Sequence, residues 1–162
     1  MKILDFPTYL ATRRNHALEH ATIHMLARKY ADKNLAGHSN PTGFFLFGDM
    51  STDEIRNAID EAMRRLRSGE SELAIHPGCG TNLATSMVLP MTLASVPFQG
   101  TRSRRRLLLI PLALMFAVFG YVLSKPLGPW LQRNVTTEAD LGNLQVKEII
   151  PVRQGVHRII TK

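Results

Sequence analysis

The sequence predicts an α+β protein: a small α-β-α-β two-layer domain, a two-helix membrane hairpin and a C-terminal β-hairpin. Three observations lead there. Over residues 1–80, apolar residues at helical spacing alternate with short apolar runs bounded by glycine or proline. Two uncharged segments, residues 82–98 and 107–124, then flank a knot of Arg102, Arg104, Arg105 and Arg106. Two runs rich in β-branched residues close the chain. The expected domains are therefore 1–80, 81–125 and 126–162, within a length of 162 residues that allows one real core plus an attached segment.

Charge follows the same division. Residues 1–80 balance ten Lys/Arg with ten Asp/Glu, so the whole excess of +7 lies in residues 81–162, against only Glu138, Asp140 and Glu148. The arginine knot sits between two apolar segments, which reads as a membrane flank rather than a nucleic-acid surface, so no nucleic-acid partner is expected. A single cysteine, Cys79, excludes an intrachain disulfide framework. Charged residues Asp5, Arg13, Arg14 and Glu19 leave no apolar h-region for a cleavable signal peptide near the N-terminus.

Taken in order, residues 1–10 form a lead in which Pro7 favours an extended or turning entry, and Thr12 can cap the helix after it. That helix, over residues 13–32, has Leu18, Ala21, Met25 and Leu26 at helical spacing and little polar circumference, so it is expected to be buried. Residues 35–40 read as its break, with Gly37 free to adopt a left-handed cap. The run GFFLFG at 43–48 reads as a buried strand. Ser51 with Glu54 three residues on is a capping box for a second, amphipathic helix ending near Ser68 and Gly69. Residues 72–76 read as a short strand that stops at Pro77.

Residues 82–98 carry Asn82, Thr85, Ser86, Thr92 and Ser95 and make a marginal span. Residues 107–124 make a stronger one, since eighteen residues of helix reach about 27 Å, close to the hydrocarbon thickness. Pro126, Gly128, Pro129 and Trp130 read as an interfacial exit. Residues 144–152 and 156–161 read as a hairpin that packs on the N-terminal domain, because two strands alone are marginal in water. That contact needs both ends of the chain on one side of the membrane, as two spans provide. The positive-inside tendency places the arginine connector in the cytoplasm and both ends outside; a single span would instead put the N-terminal half inside and the tail outside.

Within the first helix, His16, Glu19 and His20 have the spacing H-x-x-E-H. His16 and His20 stand one turn apart on one face, which suits two zinc ligands, with Glu19 as base toward a zinc-bound water. His24 lies about 12 Å from His16 along the axis and cannot share that ion comfortably. The third ligand is expected from the turn containing His76 and Cys79, with Glu70, Glu72 and His38 as further options. Three protein ligands and a water would make a catalytic zinc site, acting on a peptide or amide; four would make a structural one. The alternatives are a polar core of histidines, in which Glu19 orients a histidine or pairs with Arg13 or Arg14, and a thiol enzyme in which Cys79 at a helix N-terminus is the nucleophile. A phosphate loop is not indicated, because the glycines around Cys79 lack its spacing.

At residues 16–20 the chain resembles the inverted zinc-metallopeptidases of the insulinase and pitrilysin type, and the resemblance is confined to that motif. As a whole, RNHALEHATIH, GFFLFG, LAIHPGCGTN, the apolar hairpin and VTTEAD resemble an uncharacterised family of small bacterial membrane proteins, well represented in cyanobacteria. The resemblance implies an integral protein of the bacterial cytoplasmic membrane, with the lipid bilayer as its partner, and supplies no activity.

Overall fold

The computed structural model describes residues 4, 6–101 and 103–162. The start of the expected lead and Arg102 of the arginine knot lie outside the described residues. The chain divides into two compact units, Met1–His76 with Arg133–Lys162, and Pro77–Gln132.

The first unit begins with α1, Pro7–Lys29. Pro7 opens this helix rather than preceding it, because the first turn has no use for the N–H that proline lacks. Thr12 is accordingly inside the helix, its hydroxyl donating to the Thr8 carbonyl at 2.9 Å. From Ala17 to Ile23 every residue of α1 is buried, as its sparse polar circumference predicts.

Residues expected to break the helix instead form β1, Ala36–Asn40, antiparallel to β2, Gly43–Phe47, which is the predicted GFFLFG strand. At the tip of this hairpin, the Asn40 side chain accepts the Thr42 N–H at 3.0 Å, a local Asx turn. The helix α2, Thr52–Arg67, has the predicted capping box, with Ser51 and Glu54 exchanging hydrogen bonds, and it ends at Ser68. Gly69 follows at φ +98°, a left-handed conformation that glycine adopts without penalty.

The C-terminal strands β3, Val146–Arg153, and β4, Val156–Thr161, form the expected hairpin. It joins the N-terminal part of the unit directly, since β4 pairs with β2 and opposes Ile159 to Phe44. The sheet is antiparallel throughout, in the order β1-β2-β4-β3. Phe44, Leu46, Ile149 and Ile159 from the sheet share one core with Leu18, Ala21 and Leu26 of α1 and Ile55, Ile59, Ala62 and Leu66 of α2.

The strand expected over residues 72–76 is not formed. Ser71–Ala74 is a single 3-10 turn, and the carbonyls of Ala74 and Ile75 at its end are taken by histidines of α1. The two-layer α+β architecture stands, but its sheet is assembled from β1 to β4.

In the second unit, α3 (Gly80–Ser95) and α4 (Ile110–Leu131) pack antiparallel. Gly120 lies against Pro90 and Gly128 against Asn82, so the two helices run in opposite directions. The buried positions of α4 are Ala113, Gly120, Ser124 and Gly128, a row of small residues that lets the backbones approach closely. The helix does not stop at the expected exit: α4 continues through Pro126 and Pro129 to Leu131. Each proline forfeits one helical hydrogen bond, while Ser124 and Gly128 keep that turn packed. Among the described residues one helical stretch, Arg106–Thr136, is long and apolar enough to cross a membrane; α3 has 16 residues and does not reach that length.

Candidate metal centre

A hydrogen bond to a carbonyl oxygen requires the imidazole nitrogen to carry the proton, so each carbonyl partner fixes a tautomer. His16 donates through Nδ1 to the Thr136 carbonyl at 2.9 Å, and His20 donates through Nδ1 to the Ala74 carbonyl at 2.7 Å. In the neutral form of both rings Nε2 is then the nitrogen with a lone pair. Orientation of this kind by a second partner is the usual support of a metal-ligating histidine. The ring centroids are 4.3 Å apart, and a ligating atom of His16 comes within 4.8 Å of one of His20. The helical spacing thus brings the predicted pair together.

His76 joins them. Its ring centroid lies 5.6 Å from that of His20 and 4.9 Å from that of His24. Burial, followed by the neighbouring His24 and His20, pushes the His76 imidazole down to about 4, so at neutral pH it is uncharged. His24 donates through Nε2 to the Ile75 carbonyl at 2.8 Å. Consecutive carbonyls of Ala74 and Ile75 therefore tie residues 74–75 to α1, and the next ring is His76. The proximity of His24 to His76 is the feature that helical spacing could not reveal, because it depends on where residues 74–76 lie against α1.

Glu19 is buried and accepts the Ser39 hydroxyl of β1. A Cβ at residue 37 would overlap its carboxyl group, so Gly37 is needed for close approach and not for a left-handed cap. Arg13 pairs with Glu138 at 3.3 Å, and Arg14 donates to the Asp140 carbonyl at 2.9 Å. Glu70 pairs with Arg65, and Glu72 with Arg133 at 2.8 Å, so both optional carboxylates hold arginines. His38 is exposed on β1 opposite Phe45. Cys79 belongs to the second unit, where it caps α3 and its sulfur accepts the Thr81 N–H at 3.4 Å. It is buried, which opposes the access that a thiol nucleophile requires.

Fold and site together define an α+β protein whose sheet domain is interrupted in sequence by an apolar helical pair and carries a row of imidazoles on its first helix. The chain belongs to a family described as a domain of unknown function, DUF6391, which matches residues 11–149. It is 35% identical over 154 residues to an uncharacterized protein of Picosynechococcus sp., an alignment covering 86% of this chain and 72% of that protein. No solved structure matches the chain. The expected membership of an uncharacterised family with a cyanobacterial relative is therefore met.

Proposed function

We propose that the protein is a membrane-anchored metal-binding protein with zinc held by His16 and His20. The observation that carries this reading is the pair of Nδ1–H donations to Thr136 and Ala74, which in the neutral rings puts the lone pair on Nε2 of two adjacent imidazoles. His76, in the same unit, or solvent completes the ion. If water takes the remaining position, Glu19 is the base for hydrolysis of a peptide or amide. The burial of Glu19 against Ser39 favours the second reading, a structural metal site in which Glu19 braces α1 on β1.

Membrane anchoring is supported by the surface of α4. Leu112, Leu114, Met115, Val118, Phe119 and Val122 are all exposed, whereas the core helix of a water-soluble protein would bury them. The pairing of β2 with β4 favours two crossings over one, because residues on opposite sides of a bilayer cannot share a sheet.

The test is the metal content of the full-length protein after purification in detergent. Wild type is expected to hold at least one zinc per chain, and His20→Ala to lose it; His76→Gln tells whether His76 or solvent completes the ion. Wild type without stoichiometric metal contradicts the reading.

A further inference from the structure

The proposed ion uses only part of the histidine row. Ring centroids step 4.3 Å from His16 to His20, 5.6 Å from His20 to His76 and 4.9 Å from His76 to His24. With zinc–nitrogen bonds of about 2.0–2.1 Å, two imidazoles on one tetrahedral ion hold their centroids about 5 Å apart. The His24–His76 pair, at 4.9 Å, meets that separation more closely than the His16–His20 pair at 4.3 Å. His24 also has the same support as the first two ligands: its Nε2–H is donated to the Ile75 carbonyl at 2.8 Å, which leaves the lone pair on Nδ1. His16 cannot serve this end of the row, since the two turns of α1 separating it from His24 rise about 12 Å.

We propose that His24 and His76 form a second metal position beside the first, for a borderline divalent cation such as zinc or cobalt, with water completing its coordination. The inference rests on the metal-binding reading of His16 and His20, and adds to it that the row takes two ions. With His76 committed to the second position, solvent completes the first.

The test strips the full-length protein in detergent with a chelator and titrates it with Co2+, counting ions by calorimetry and by ligand-field absorption. Wild type is expected to take two ions per chain. His24→Gln is expected to take one, because the glutamine amide keeps the donor to Ile75 while removing the ligating nitrogen; circular dichroism checks that it folds. A wild type that takes one ion, or a folded His24→Gln protein that still takes two, overturns the second position and leaves the first standing. A wild type that takes none overturns both.

Discussion

A neutral imidazole that donates through one nitrogen keeps its lone pair on the other, so the carbonyls of Thr136, Ala74 and Ile75 set which nitrogen each neutral histidine of α1 presents. His16 and His20 were legible in the sequence because helical geometry alone places them one turn apart. Axial distance excludes His24 from the ion proposed for them, and its proximity to His76 was hidden because no spacing rule predicts how residues 74–76 lie on the helix. Glu19 is the converse case: the motif offers it a catalytic role, and carries no sign of its burial against Ser39 and Gly37. Glu54 is the carboxylate whose behaviour is set most clearly. The Tyr30 hydroxyl, then the backbone and side chain of Ser51, hold it down to about 2 from an ordinary 4.5. Folding therefore favours the ionised form, so its contribution is full above pH 4.5 and disappears as pH falls toward 2. Glu54→Gln is expected to flatten the acid dependence of unfolding across that window, measured by circular dichroism at a series of pH values; an unchanged slope would contradict the assignment.

Elements with a local signature were readable. The capping box set the start of α2, and the apolar run between glycines gave β2. Elements whose bonds go to distant partners were not: residues 72–76 have strand-like composition, but their carbonyls serve His20 and His24 instead of a neighbouring strand. The end of α4 failed for a related reason, since Pro126 and Pro129 stop a helix only where packing does not hold the next turn. That packing is tight at Gly120, where an added Cβ would sit 2.8 Å from the Pro90 Cα, too close without backbone movement. Gly120→Ala is expected to destabilise the α3–α4 pair by about 1–3 kcal/mol, the usual cost of overpacking. Gly80→Ala is the control, as nothing lies within 4 Å of its added carbon. Equal thermal stability of the two variants in detergent would refute the close contact.

At the scale of the molecule, the sheet domain is discontinuous in sequence, with β2 and β4 joined across the entire second unit. The expected packing of the C-terminal hairpin on the N-terminal domain anticipated this, because two isolated strands needed a sheet to join. The register and the strand order were beyond the sequence, which offered no signal that residues 36–40 would add a strand beside β2. The discontinuity bears on topology. Reporters fused at Met1 and after Lys162 are expected on the same side of the membrane, and reporters on opposite sides would rule out the two-span arrangement. The proposed metal centre is tested most directly by X-ray absorption at the zinc edge of the zinc-treated, full-length protein. We predict imidazole scattering from at least two rings, with zinc–nitrogen distances of about 2.0–2.1 Å, and its loss of a ring in His20→Ala. A first shell of oxygen alone, or a spectrum identical in the variant, would contradict the assignment of His16 and His20 as ligands.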